Sequence, residues 1–285
     1  MHFQRYTISL KGFAMSLEIA ELKSLLPHEE VVPAFLEKLS QDIEKDGFLK
    51  HPIIIDRESK VILDGNHRTE AMKKLGYDYI PVCAVDYGNP LIQVKCWYRA
   101  VGKTSQESSL NTFMDLRESD CCLENINEVV GSRRILAIAM KKQILVSRQY
   151  SSTLELYKAL QEVERRLREL GFRISYLSEE AACEGVVQGD LLAYIAVSPL
   201  TKEIIVETSR CGQRLPCKTS RHIFPARPMG ADFPLQFLKD RSLDEANRTF
   251  HDWLSKKEIE QTPPGTIFEG RKYDERIYVF KTKQV

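Results

Sequence analysis

The stretch that decides the fold is VILDGNHRTEAMKKLG, from Val61 to Gly76. It begins with apolar residues typical of a short buried strand, and after Gly65 it continues into residues that favour a helix. A strand that turns into a helix through glycine leaves backbone N–H groups pointing outward, and the helix dipole favours an anion there. The stretch therefore predicts a phosphate site, with a plain turn in which Asp64 caps the helix as the competing interpretation.

The composition is that of an ordinary globular chain with balanced charge. The 285 residues include 41 Lys and Arg against 40 Asp and Glu, so the net charge is +1. This balance argues against a protein that mainly coats nucleic acid, and no apolar run approaches the length of a membrane span. The seven cysteines contain no C-x-x-C pair, which indicates reduced thiols in a cytoplasmic protein rather than a zinc site or a disulfide framework.

Short strands and helices alternate on both sides of the opening stretch. Before it, Pro33 suits the first turn of a helix that stops at Asp46-Gly47. The other elements predicted in this half are a helix from Arg68 to Leu75 and strands at 52–56, 60–64, 80–85 and 91–101. The residues from Gly102 to Phe113 are a polar stretch.

A second α/β block is predicted to begin near Gly131. Its clearest helix spans 151–170, a shorter one spans 179–187, and a helix at 243–259 precedes a last strand at 275–281. Strands are predicted at 172–177, 191–197 and 203–207, and 212–234 reads as a functional loop or a connector. We therefore predict an α/β (α+β) protein with domains at 1–130 and 131–285.

Three other stretches carry residues suited to a small-molecule site, and each has an ordinary alternative. In LLPHEEV, Glu29 or Glu30 could be a base or a metal ligand, or simply the acidic start of a helix. Trp97 could wall a pocket or belong to the core. In KTSRHIFPARP the candidate ligand contacts, which could equally be ordinary loop residues, are Ser220, Arg221 and His222.

The common nucleotide-binding loops are missing from the sequence. Gly102-Lys103-Thr104 looks like the end of a Walker A loop, but the glycine required five residues earlier is Trp97. No G-x-G-x-x-G motif occurs either, so any nucleotide must bind through another kind of site.

Taken in chain order, these motifs resemble those of the free L-serine kinases of the ParB/sulfiredoxin-like fold, which use ADP or ATP. The motifs are PHEE at 27–30, DGNHR at 64–68, Trp97 and the SRH triplet at 220–222. Asn66 stands where the archaeal type usually has His, and Ser220 replaces Thr while keeping the hydroxyl. Sulfiredoxins carry their catalytic Cys at the position of Asn66, which argues against that activity.

The resemblance implies a fold and a reaction. The fold would be a ParB/sulfiredoxin-like nucleotide-binding core with an α/β C-terminal half that completes the active site. The reaction would be Mg²⁺-dependent phosphoryl transfer from ADP or ATP to the hydroxyl of free L-serine, giving O-phospho-L-serine for cysteine biosynthesis. The SRH triplet favours ADP as the phosphoryl donor.

The resemblance also assigns roles to individual residues. Glu29 and Asp64 would be catalytic, and Asp64 would also be the metal ligand. The residues that would bind the nucleotide phosphates are Gly65, Asn66, His67 and Arg68. The residues that would bind L-serine are Trp97, Ser220, Arg221 and His222.

Two other functions are compatible with the same motifs. One is a nucleotide-responsive DNA-binding regulator of the ParB type, and the other is a kinase-like protein that only senses its ligands. For the kinase we expect L-serine and a nucleotide as partners, and neither nucleic acid nor a membrane. The donor, the choice of base between Glu29 and Asp64, the oligomeric state and the start at Met1 or Met15 stay open at this point.

Overall fold

The computed structural model describes residues 5–103, 116–131 and 133–283, which form a mixed α/β fold as predicted. The strands are β1 (Tyr6–Leu10), β2 (Phe13–Glu21), β3 (Phe48–Leu49), β4 (Ile53–Asp56), β5 (Ile62–Asp64), β6 (Tyr79–Val85), β7 (Gln93–Cys96), β8 (Tyr98–Gly102), β9 (Leu116–Ser119), β10 (Leu136–Met140), β11 (Ile144–Ser147), β12 (Ile174–Leu177), β13 (Leu191–Val197), β14 (Ser220–Ile223), β15 (Ala226–Met229), β16 (Phe233–Pro234), β17 (Lys257–Thr262), β18 (Ile267–Phe268), β19 (Arg271–Lys272) and β20 (Arg276–Thr282). The α-helices are α1 (Pro33–Asp46), α2 (Asn66–Lys74), α3 (Ile126–Val130), α4 (Thr153–Glu169), α5 (Glu179–Gln188), α6 (Lys202–Arg210) and α7 (Leu243–Ser255).

The chain folds as two compact units that do not follow the predicted division at residue 130. The first unit comprises 1–93, 202–214 and 222–285, and the second comprises 94–201 and 215–221. The chain enters the second unit within β7 and leaves it for the last time within β14. The predicted boundary followed sequence order, whereas the first unit also recruits strands from the C-terminal end of the chain.

The first unit contains the opening stretch in a five-stranded sheet of order β1-β2-β6-β4-β5. The interior strand β4 is parallel to β6 and antiparallel to β5, and its residues Ile53 to Asp56 are all buried. After β5, α2 begins at Asn66, two residues earlier than predicted. The helix α1 begins at Pro33 as predicted and ends at Gly47, whose φ of 73° is the left-handed conformation that glycine adopts readily.

The C-terminal part of the first unit builds a three-stranded sheet of order β15-β20-β17 and a short hairpin of β18 and β19. Its strand β15 runs parallel to β20. The helix α7 starts with a capping box between Ser242 and Glu245 and ends at Ser255, four residues before the predicted end. The last strand is displaced by only one residue from its prediction.

Three sequence-based expectations differ from the structure. Residues 203–207 are not a strand but lie in α6, where Ile205 and Ser209 are buried one helical turn apart. The segment 212–234, predicted as a functional loop or a connector, contains the strands β14, β15 and β16. Glu30 is not in the first turn of a helix: α1 begins three residues later, and its first turn contains no acidic residue.

The second unit contains a six-stranded sheet of order β12-β8-β13-β10-β11-β9. The helix predicted at 151–170 is confirmed as α4, which Ser152 caps by accepting a hydrogen bond from the backbone N–H of Glu155. Of the polar stretch predicted from Gly102 to Phe113, residues 104–113 lie outside the described residues. None of the described helices is long and apolar enough to cross a membrane.

Candidate functional site

The strand-to-helix corner of the first unit requires glycine at its centre. Gly65 has a φ of 106°, and a Cβ atom there would lie 2.5 Å from Cγ2 of Ile53. The backbone therefore passes directly over the buried strand β4 before α2 begins. This geometry presents the first N–H groups of α2 at the end of β5, as expected for an anion site.

Asp64 lies between two arginine side chains. Its Oδ2 atom accepts a hydrogen bond of 2.8 Å from Nη2 of Arg68 and one of 2.6 Å from Nη1 of Arg227. The Nε atom of Arg227 donates to Glu275 at 2.7 Å, and both of these side chains are 7% exposed. Two carboxylates and two guanidinium groups thus form a charge network beneath the corner.

The neighbouring arginines determine the protonation state of Asp64. Burial acts to raise the pKa of this carboxyl, but the charges of Arg227, Arg68 and Arg271 outweigh it and hold the pKa well below its usual value. Asp64 is therefore ionised at neutral pH and is a poor proton acceptor. Its chemistry suits binding a cation or a hydroxyl group better than removing a proton.

Arg68 is also tied to the protein backbone. Its Nη1 atom donates to the carbonyl oxygens of His51 and Pro52, each at 2.8 Å. These contacts fix the segment that leads into β4, so Arg68 has a structural task besides any contact with phosphate. Of its five N–H donors, two on Nη1 and one on Nη2 serve these three contacts.

Asn66 and His67 form the first turn of α2. Asn66 is 7% exposed, and its buried Oδ1 atom has no hydrogen-bond partner among the residues that the structure describes. The Nε2 atom of His67 accepts a hydrogen bond of 3.0 Å from the backbone N–H of Val32, directly before α1. This bond places the proton of a neutral His67 on Nδ1 and connects the starts of the two helices.

Glu29 lies next to His28, whose ring is hydrogen-bonded to β5. The buried His28 donates from Nδ1 to the carbonyl oxygen of Ile62 at 2.5 Å, two residues before Asp64, and its Nε2 lies 3.8 Å from Oε1 of Glu29. Burial lowers the pKa of His28 even though the charge of Glu29 acts in the opposite direction. A neutral imidazole with its proton on Nδ1 therefore faces the carboxylate.

His222 is brought to the same cluster from the C-terminal part of the first unit. Its ring meets that of His28 edge to face at a centroid distance of 5.6 Å. Its Nε2 atom lies 2.8 Å from the hydroxyl of Tyr87, and burial lowers its pKa well below the usual value. His222 is thus a second neutral, buried imidazole beside His28.

The other predicted serine contacts lie in the second unit. Trp97 lies between β7 and β8, and the guanidinium carbon of Arg221 is 5.3 Å from its ring centroid. The buried Arg99 donates from Nη1 to the carbonyl oxygen of Trp97 at 2.8 Å and pairs through Nε with Glu164 at 3.2 Å. Ser220 opens β14, one residue before Arg221.

Sequence reasoning did not find Arg227 and Glu275. Arg227 stands in the quoted stretch KTSRHIFPARP, but it is 163 residues from Asp64, and no local pattern joins them. The only signal in the sequence was a single arginine between Ala226 and Pro228 in an apolar context. Because a buried arginine must be paired with an acid, this context indicates a distant carboxylate partner without identifying it.

The described residues contain no group of three or more His, Cys, Asp or Glu side chains placed to hold a metal ion. Mg²⁺ does not need such a group when substrate phosphates supply most of its ligands. A single ionised carboxylate could then be the protein ligand, and Asp64 is a group of this kind.

The relatives of this chain are L-serine kinases and a ParB-like protein. It is 26% identical to an ATP-dependent L-serine kinase of Staphylothermus marinus over 78% of this chain and 90% of that protein. It is 28% identical to an ADP-dependent L-serine kinase of Thermococcus kodakarensis, over 76% and 91% respectively. A ParB-like protein of Sulfolobus acidocaldarius is 28% identical over 73% of this chain and 90% of its own. These matches confirm the resemblance drawn from the motifs.

A solved structure shows the same fold. A free serine kinase variant in complex with ADP superposes with a TM-score of 0.66, at 23% identity over 78% of this chain and 93% of that one. The predicted ParB/sulfiredoxin-like α/β fold is therefore confirmed. No protein-family model matches the chain.

Proposed function

We propose that this chain is an L-serine kinase that transfers a phosphoryl group from ADP or ATP to the hydroxyl of free L-serine. The observation that carries the proposal is the corner itself, where Gly65 opens the N-terminus of α2 beside the ionised Asp64, and Glu29 lies next to His28, which is bonded to β5. The named activities of the relatives support the same reaction. Its product would be O-phospho-L-serine, a precursor for cysteine biosynthesis in the cytoplasm.

The phosphates of the donor would bind at the N-terminus of α2. Phosphoryl transfer needs positioning and charge neutralisation more than covalent help from the protein. Backbone N–H groups from Gly65 onward, with Asn66 in the same turn, would hold the phosphate oxygens. His67 and the guanidinium group of Arg68 would stabilise the charge of the transferred group and of the leaving nucleotide.

Glu29 rather than Asp64 would be the general base. The arginines beside Asp64 lower its pKa, which makes that carboxylate a weak proton acceptor. Glu29 faces the neutral His28 instead. Once Glu29 had taken the proton of the serine hydroxyl, the Nε2 atom of His28 could accept a hydrogen bond from the new carboxylic acid.

Asp64 would be the protein ligand of Mg²⁺. The bonds to Arg68 and Arg227 both use Oδ2, so Oδ1 remains to face a cation carried by the donor phosphates. The ion would neutralise charge on the phosphates when bound. The arginines would keep Asp64 anionic and hold its orientation.

The contacts to L-serine remain those proposed from the motifs. Arg221 stacked on Trp97 could bind a carboxylate, because a guanidinium group matches the two oxygens of that group. Ser220 and His222 would bind the polar groups of the amino acid.

The direct test is to incubate the pure protein with L-serine, Mg²⁺ and either ADP or ATP, and to measure O-phospho-L-serine by mass spectrometry. The kinase proposal predicts product with at least one donor. If neither donor gives product, the proposal fails. Salt-sensitive DNA binding with nucleotide-driven dimer closure would then favour the ParB-type regulator instead.

The two adjacent carboxylates provide a matched pair of variants. Glu29→Gln should lower kcat by at least about a thousandfold, because it removes the base and keeps the shape of the side chain. Glu30→Gln should stay within about threefold of the parent chain, because Glu30 is exposed and the assignment gives it no part in the chemistry. Equal losses in the two variants would show that the base is assigned to the wrong residue.

A further inference from the structure

The hairpin of β18 and β19 brings a cation to the corner that the motifs did not indicate. Arg271 is exposed on β19, and its guanidinium carbon lies 4.9 Å from the ring centroid of Tyr273. The guanidinium carbon of Arg227 lies 5.8 Å from the same ring, and Arg227 donates to Asp64. The buried Tyr273 thus connects Arg271 to the charge network beneath the corner.

Arg271 is the third guanidinium group that acts on Asp64. Asp64 and Glu275 are matched by Arg68 and Arg227, and Arg271 adds a third guanidinium group within electrostatic range of Asp64. In residues 5–103, 116–131 and 133–283, no carboxylate lies within ion-pair distance of Arg271. Arg271 is therefore a guanidinium group without an ion-pair partner among these residues, and it is the most exposed of the three arginines.

The hairpin is fixed in place rather than loosely attached. Glu269, in its turn, pairs with Lys50 at 2.8 Å and with His51 at 3.3 Å. The carbonyl oxygen of His51 is one of those that Arg68 holds, so the hairpin and α2 share an anchor. At the base of the hairpin, Tyr273 and Gly265 are joined by a backbone hydrogen bond of 2.7 Å.

We propose that Arg271 binds the phosphates of the nucleotide donor, so that the C-terminal hairpin completes the anion site that begins at the N-terminus of α2. The inference rests on the proposed function and adds a phosphate-binding residue to it. A guanidinium group packed over an aromatic ring loses less freedom on binding, and its N–H groups match phosphate oxygens. The phosphates of the donor would supply a counter-charge for Arg271.

The test compares Arg271→Ala with Lys272→Ala, which removes the adjacent exposed cation of the same strand. Binding of ADP and of adenosine is measured by calorimetry without L-serine. Arg271→Ala should weaken ADP about tenfold and leave adenosine unchanged, and Lys272→Ala should change neither. Arg271→Lys should recover part of the ADP affinity, and the deficit of Arg271→Ala should shrink as KCl is raised because salt screens an exposed charge.

Two results would overturn the inference. If Arg271→Ala binds ADP as tightly as Lys272→Ala, Arg271 does not contact the phosphates. If Arg271→Ala loses affinity equally for ADP and adenosine, its role is structural. A parent chain that binds ADP but forms no O-phospho-L-serine refutes the kinase reaction, while the binding comparison still decides the role of Arg271.

Discussion

At the scale of single residues, Gly65 is the position where the backbone most strictly requires glycine. A side chain there meets two obstacles, the left-handed φ of 106° and the contact with Ile53. Gly76, at the other end of α2, has a φ of 75°, and a Cβ atom added there would have no described neighbour within 4 Å, so it meets only the first obstacle. The two glycines separate backbone strain from steric collision.

We expect Gly65→Ala to lower the free energy of unfolding by about 3 kcal/mol and Gly76→Ala to lower it by about 1 kcal/mol. The larger loss reflects the displacement of Ile53 or of the backbone at the corner. Urea denaturation monitored by circular dichroism measures both values. Equal losses would mean that β4 yields to the new methyl group, and that sterics do not require glycine at the corner.

The sequence indicated two members of the charge network, Asp64 and Arg68, but not the other two. Asp64 and Arg68 are four residues apart in one motif, so a local pattern could join them. Arg227 and Glu275 reach the network through the fold of the first unit, from strands that lie far along the chain. Patterns of hydrophobicity and turn residues contain no information about such partners.

At the scale of elements, periodicity predicted the long helices well and failed for short ones. The helix α4 has an apolar face repeated over 17 residues and a serine cap, so its pattern was unambiguous. The run Ile204-Ile205-Val206 suggested a strand because β-branched residues favour strands. In the structure α6 buries few of its side chains, and the hydroxyl of Ser209 donates to the carbonyl oxygen of Pro27.

The attachment of α7 to the first sheet depends on one buried side chain. Asn247 accepts a hydrogen bond of 2.8 Å from the backbone N–H of Ile19 and donates to its carbonyl oxygen at 3.1 Å. The pairing of β1 with β2 ends at Leu17, so the amide group of Asn247 continues the ladder where β1 stops. A helix side chain thus takes the place of a strand.

We expect Asn247→Ala to lower the free energy of unfolding by about 2–3 kcal/mol, because both backbone groups of Ile19 lose their partner. Arg248→Ala, on the exposed face of the same helix, should change it by less than about 0.5 kcal/mol. Thermal and urea unfolding measure both variants. If the two variants are equally stable, water replaces the amide of Asn247 without cost and α7 is held by its apolar face alone.

At the scale of the whole molecule, the first unit joins distant parts of the chain. It combines the start of the chain, α6 and the C-terminal strands, while the second unit is inserted between them. The match to the Staphylothermus protein leaves about a fifth of this chain uncovered although it spans 90% of the relative. The order of the motifs along the chain was enough to predict the shared core. It could not predict that C-terminal strands, which follow the second unit in sequence, fold into the first unit.

The stability of the molecule in acid should depend on Asp64. Because its folded pKa lies below the unfolded value, Asp64 contributes stability that is fully present above about pH 5. This contribution is lost as the pH falls through about 4 toward the folded pKa. His28 and His222, whose pKa values are lowered by burial, add a loss of stability below about pH 6.5 in every variant that retains them.

We therefore expect Asp64→Asn to be about 3 kcal/mol less stable than the parent chain at pH 7, since Arg68 and Arg227 lose their shared counter-charge. The gap should narrow steadily between about pH 5 and pH 3, because the carboxyl group of the unfolded parent chain takes up a proton in this range while the folded carboxylate stays ionised. Asp252→Asn, which alters an exposed carboxylate on α7, should follow the parent at each pH. Urea unfolding at pH 7, 5, 4 and 3 measures the three chains. A gap that stays constant across this range would show that the arginines do not stabilise the ionised form of Asp64.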